Sequence, residues 1–160
     1  MTSIKYDKIS ENKWGELFKV SLIQNNNFKP IEIILKNVNS IFGKETEYNK
    51  SYIKWCITKH DQDIIELLEK MLKDSFTDYN IESINSLIVR RESYPTMVKT
   101  KLPNNSHKTI KHKPGEIITF SDIKNKSCDV TLKVKVANIR NKQKISYNLE
   151  IVEIALLNNN

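Results

Sequence analysis

Val130-Thr131-Leu132-Lys133-Val134-Lys135-Val136 alternates apolar and polar side chains without a break, and Ser146-Tyr147-Asn148-Leu149-Glu150-Ile151 repeats the alternation. In an extended chain successive side chains point to opposite faces, so each stretch offers one apolar and one polar face, as a half-buried strand does. The link between them, Arg140-Asn141-Lys142-Gln143-Lys144, is short and polar, which predicts a hairpin. A hairpin of this quality makes the fold mostly β.

Working outward, a brief segment Glu116 to Phe120 precedes the hairpin, and a long polar loop runs back from Gly115 to Pro103-Asn104-Asn105. Upstream of the loop, Thr96 to Leu102 and Ser86 to Arg91 read as strands. The best helix starts near Asp61, a capping residue, and sets Ile64, Ile65, Leu67, Leu68, Met71, Leu72 and Phe76 at spacings of three and four, with Asp63, Glu66, Lys70 and Asp74 opposite. Before it, Tyr52 to Thr58 alternates around Ile53, Trp55 and Ile57 and predicts a half-buried strand. Lys44 to Lys50 is a polar connector. Pro30 opens a β-branched strand, Ile31 to Lys36, that closes at Ile41-Phe42-Gly43, and Trp14 to Gln24 is a short strand or helix ending at Asn25-Asn26-Asn27. Six or seven strands around one main helix, with no internal repeat and no regular βαβ alternation, favour an antiparallel OB-like β-barrel; an open antiparallel α+β sheet is the alternative. The reading is a single domain, 1–160, with a flexible 1–13, a basic loop at 103–115 and a tail at 157–160.

A chain of 160 residues with 39% hydrophobic content buries enough surface to fold without disulfides or metal. Cys56 and Cys128 are too few for a disulfide framework, no apolar run approaches a membrane span, and the N-terminus lacks an apolar leader. The expectation is an intracellular, reducing compartment with no membrane partner.

The formal charge is +7, from 26 Lys and Arg against 19 Asp and Glu. Lys, Asn and Ile dominate, a bias that an AT-rich coding sequence also produces, so position says more than number. Residues 1–85 carry 12 basic and 13 acidic residues, whereas residues 86–160 carry 14 and 6, so the halves stand at −1 and +8. The excess belongs to the C-terminal half. Residues 93–115 contain no acid at all, yet hold Lys99, Lys101, Lys108, Lys111 and Lys113 with His107 and His112, and Arg90 and Arg91 stand just before. The hairpin adds Lys133 and Lys135 on its polar face and Arg140, Lys142 and Lys144 at its turn. Such a loop beside such a hairpin suits a phosphate backbone, and a preponderance of Lys over Arg favours general backbone attraction over bidentate base reading. Tyr94 is the candidate stacking residue; Phe120 follows the loop, and Tyr147 shares its face with Leu149 and Ile151, which assigns it to the core.

Ser93-Tyr94-Pro95-Thr96-Met97-Val98-Lys99-Thr100-Lys101-Leu102-Pro103, the basic loop and the hairpin Val130 to Ile154 resemble small OB-fold single-stranded DNA-binding proteins of large DNA viruses. Asn37-Val38 to Phe42-Gly43 and the strand Tyr52 to Thr58 are similar in order and spacing, so the resemblance spans about residues 30–156. It implies coating or protection of single strands in viral replication, recombination or repair, in host cytoplasm or nucleus, without cofactor or chemistry. Single-stranded DNA or another nucleic acid is then the principal partner, with replication proteins and further copies of the chain beside it. Members of the wider phage-type group end in an acidic tail that recruits partners, whereas this chain reads Leu156-Leu157-Asn158-Asn159-Asn160, a departure that counts against replisome recruitment.

Rival readings are weaker. Cys56 and His60 are spaced C-x3-H and His107 and His112 H-x4-H, with Cys128 elsewhere, but no paired CxxC supports zinc. Neither cysteine has a nucleophile signature, Gly43 and Gly115 make no phosphate cradle, and a metal-dependent nuclease would need carboxylates clustered where Glu92, Glu116, Asp122, Asp129, Glu150 and Glu153 are scattered. A protein-interaction or virion-associated module remains, using the helix face of Ile64, Leu68 and Leu72 or Trp14 with Phe18.

Overall fold

The computed structural model describes residues 3–12, 15–24, 26–76, 81–104, 108–112, 114–140 and 144–157. Strands β1 (Ser3–Asn12) and β2 (Gly15–Gln24) form a long antiparallel pair, and β3 (Asn27–Pro30) continues from β2 as a meander. Next come β4 (Glu32–Val38), β5 (Lys44–Glu47) and β6 (Lys50–Cys56), then helix α1 (Lys59–Ser75). The short strands β7 (Ser83–Asn85) and β8 (Ile88–Val89) precede β9 (Met97–Lys101). A single turn of helix, α2 (Phe120–Ile123), leads into the hairpin β10 (Cys128–Arg140) and β11 (Lys144–Leu156).

The predicted hairpin is the centre of the molecule. The sheet runs β1-β2-β10-β11-β9-β6-β5, with β3 on β2, β4 on β10, β7 on β11 and β8 on β9. Because β2 and β4 share one edge of β10 end to end, a single 13-residue strand organises both the N-terminal meander and the middle of the chain. The barrel expectation is corrected: β1 and β5 end the path and do not pair with each other, so the sheet stays open. Nor is it wholly antiparallel, since β11 pairs with both β7 and β9 in parallel. The coarser expectation, mostly β with one main helix and an open sheet, holds.

One face of the sheet carries the core. Val130, Leu132, Val134 and Val136 of β10 and Ile145, Tyr147, Leu149 and Ile151 of β11 are buried there, joined by Phe18, Leu35, Ile53 and Trp55. Helix α1 covers this face with Ile65, Leu68 and Leu72, and Phe76 just beyond it stacks on Tyr6 with centroids 4.2 Å apart and meets Phe18 edge-on at 5.3 Å. Such aromatic contacts add to what area burial alone supplies. The helix cap is Thr58 rather than Asp61: the Asp61 backbone N–H donates to Thr58 Oγ1 at 3.1 Å. Ile64, Leu67 and Met71, expected on the apolar face, are exposed instead.

Several further expectations change. Residues 3–12 form the edge strand β1; Ile4 and Tyr6 alternate, but a register shift between Lys8 and Ser10 hides the remainder of the pattern. The polar connector Lys44 to Lys50 is a hairpin with Tyr48 and Asn49 as its two turn residues, at φ 49° and 65°. Of Ser86 to Arg91 only Ile88–Val89 is a strand, β8, with β7 lying just before the stretch, and Glu116 to Phe120 is irregular up to α2. Among the described residues the basic loop is tied to the sheet where Lys111 N–H donates to Ile154 O at 2.8 Å and Ile154 N–H to Thr109 O at 2.7 Å.

Candidate nucleic-acid interface

The face of the sheet opposite α1 carries the charged residues Glu32, Lys133, Glu150 and Lys101, and strand register sets them in a row. The row crosses six strands from β4 to β5 and reads Glu32, Lys133, Glu150, Lys101, Tyr52, Glu45. Opposite charges directly across strands attract. The cations expected to meet a phosphate backbone are therefore interleaved with acids that the sequence places far away.

Several candidate residues are engaged accordingly. Arg90 bonds Glu66 at 3.0 Å, Lys99 bonds Glu47 at 3.2 Å and lies 4.2 Å over the Tyr52 ring, and Lys135 bonds Glu150 at 3.1 Å. Lys111 stands 3.9 Å from Glu153. Glu66 titrates below the ordinary carboxylate range, first because Gln62 donates to it and then because Arg90 does. These pairs are at or near the surface, where a pair contributes on the order of 0–1 kcal/mol, so a phosphate can displace the carboxylate at little cost.

Other candidates have no carboxylate partner among the described residues. Arg91 lies 6.0 Å over the Phe42 ring, and Tyr94 packs on that same ring at 5.4 Å while staying partly exposed. Lys101, Lys108, Lys133 and Lys144 pair with no acid among the described residues. Lys113 and Lys142 lie outside the described residues, as does the side chain of Arg140, whose backbone ends β10 opposite Lys144. Tyr147 is buried, and its hydroxyl donates to Glu69 Oε2 at 2.6 Å. Burial, then the adjacent carboxylate, keeps that phenol neutral across the whole working range.

The structure adds a site that the sequence reading passed over. Between the β5–β6 turn and the end of β9 lies a cleft of about 260 Å³ lined by Lys44, Asn49, Lys50, Ser51, Lys101 and the stretch Leu102 to Asn104. No carboxylate lines it. The two acids of β5 are taken up nearby: Glu47 by Lys99, and Glu45 by Lys54, whose ammonium is buried 3.3 Å from Glu45 Oε1 in a contact held by charge rather than by a directed hydrogen bond. Lys44, Lys50 and Lys101 all belong to its lining, Lys44 from the side of the sheet that carries Ile53 and Lys101 from the side that carries Tyr52, and Lys44 also lies 5.0 Å over the Phe120 ring. Lys101 comes from the acid-free stretch; Lys44 and Lys50 come from the electrically balanced half and were invisible to a count of charge along the chain. Their approach is made by the pairing of β6 with both β5 and β9.

No protein-family model matches the chain, and no curated protein or solved structure is significantly similar to it.

Metal-ligating side chains do not converge among the described residues: no three of His, Cys, Asp and Glu stand together. Cys56 is half-buried on β6, Cys128 is buried on β10, and His112 Nδ1 accepts from the Ile118 N–H at 3.1 Å. Burial, and secondly the charge of Asp129, pushes the Cys128 thiol up to about 11, which leaves it protonated and unreactive. No helix among the described residues is long and apolar enough to cross a membrane.

Proposed function

We propose that this protein binds single-stranded nucleic acid, DNA in the first instance, through lysine contacts to the backbone and without chemistry of its own. The observation that carries the reading is the cleft whose lining includes Lys44, Lys50 and Lys101 and no carboxylate. Three lysines in the lining of one cleft make its potential positive, and an anion is attracted to it. Asn49, Ser51 and Asn104 supply neutral hydrogen-bonding groups beside them, as phosphate and sugar contacts require. Arg91, Lys108, Lys133 and Lys144, which form no ion pair with an acid among the described residues, are further candidate contacts.

The test is fluorescence anisotropy with labelled single-stranded DNA, duplex DNA and RNA at about 50 mM salt, where electrostatic binding is strong. Preference for a single strand, together with loss of binding in a Lys44, Lys50, Lys101 triple glutamate variant, is the expected result. Failure to bind all three polymers overturns the proposal, and degradation of the probe on adding magnesium would replace it with a nuclease. A second reading, an interaction module, draws on the exposed Ile64, Leu67 and Met71 of α1; the buried Leu68 and Leu72 do not contribute to it. It predicts a protein partner retained after nuclease treatment and lost on Leu67→Glu.

A further inference from the structure

Tyr48 sits at the tip of the β5–β6 hairpin, 97% exposed. Its φ of 49°, followed by 65° at Asn49, is that of a two-residue turn with both central residues left-handed. Such turns favour Asn-Gly, because a side chain with a bulky Cβ substituent is strained at positive φ. An aromatic residue here does nothing for the turn and buries nothing in return. The next two residues, Asn49 and Lys50, line the cationic cleft. A flat, fully solvated ring therefore stands at the lip of a lysine-lined cleft.

We propose that Tyr48 is the platform on which a base of the bound strand stacks while the adjoining phosphate occupies the cleft between Lys44, Lys50 and Lys101. This rests on the single-strand reading above and assigns that reading its aromatic contact. Every base has a π-face, so one platform beside a phosphate site engages a strand regardless of sequence. The other described rings are less free. Tyr94 packs on Phe42, Tyr52 lies under Lys99, Phe28 lies under Lys5 at 4.5 Å, Phe18 and Phe76 meet Tyr6, and Tyr147 is buried. Stacking needs both faces or one whole face of the ring open to the base, and Tyr48 alone among the described tyrosines offers that.

Tyr48→Asn separates this role from a structural one, since asparagine tolerates left-handed backbone better than tyrosine. The thermal midpoint is expected to hold or rise while affinity for a labelled oligothymidylate falls roughly five- to a hundredfold, the range that loss of one stacked base produces. Tyr48→Phe, which keeps the ring, is expected to bind within about twofold of the unaltered protein. If Tyr48→Asn binds as tightly as the unaltered protein while Lys50→Ala and Lys101→Ala weaken binding, the platform is wrong and the single-strand reading stands. If the unaltered protein binds no strand, both fall together.

Discussion

Glu69 is the residue on which the packing of α1 most depends. It lies on the buried face of the helix at 6% exposure and accepts hydrogen bonds from Ser86 Oγ at 2.8 Å, the Leu87 N–H at 3.0 Å and the Tyr147 hydroxyl at 2.6 Å. A carboxylate so enclosed is tolerable because donors from three separate places satisfy it. Removing it leaves a buried phenol and a backbone N–H without a partner, so Glu69→Ala is expected to cost about 3 kcal/mol in urea unfolding. Tyr147→Phe, which removes one donor, is expected to cost about 1–2 kcal/mol. Equal effects from the two would show that the carboxylate does not organise the cluster. Nothing along the sequence marks Glu69, because helix periodicity assigns it to a face and the acid itself argues for the other one. Tyr147 was legible, since it alternates with Leu149 and Ile151 on a strand whose core face was clear.

At the scale of elements, helix and hairpin were legible to different depths. The period of two in β10 and β11 located both strands and their turn, though not the register shifts at Thr131/Leu132 and Val136/Asn138 that bend the pair. In α1 the apolar residues span more of the circumference than the sheet covers. The helix thus buries Ile65, Leu68 and Leu72 and leaves Ile64, Leu67 and Met71 at its margin. Leu72→Ala is expected to cost about 2–5 kcal/mol, and Leu67→Ala to stay within about 0.5 kcal/mol, both read as denaturation midpoints. A large loss at Leu67 would mean that the margin is covered by something other than water. The β5–β6 hairpin was missed because its turn is Tyr-Asn rather than a glycine dipeptide, and with it went two of the three cleft lysines.

At the scale of the molecule, partition of charge along the chain and partition in space are different quantities. The acid-free stretch is real, but strand pairing brings Glu47, Glu150 and Glu153 among its lysines and Glu32 beside Lys133 of the hairpin, and the concentrated positive field shrinks to the cleft and a few free cations. This sets the expected salt dependence. If three to five phosphates are contacted, log K against log salt should fall with a slope of about −2 to −4, at roughly −0.7 per phosphate for single strands. A slope near −8 would require nearly all the candidate cations, and hence would show that the ion pairs to Glu47, Glu66, Glu150 and Glu153 open on binding.

The order of strands carries a consequence for synthesis. The hairpin β10–β11 lies at the middle of the sheet yet is made after every strand it joins. As the chain leaves the ribosome, the β1–β2–β3 meander and the β5–β6–β9 group have no sheet between them, and α1 has only fragments of a face to cover. Contacts of such long sequence separation form slowly, and unpaired edges waiting for them invite association with other chains. Nascent chains stalled before residue 128 should therefore stay protease-sensitive, and protection should arrive in one step once the hairpin is clear.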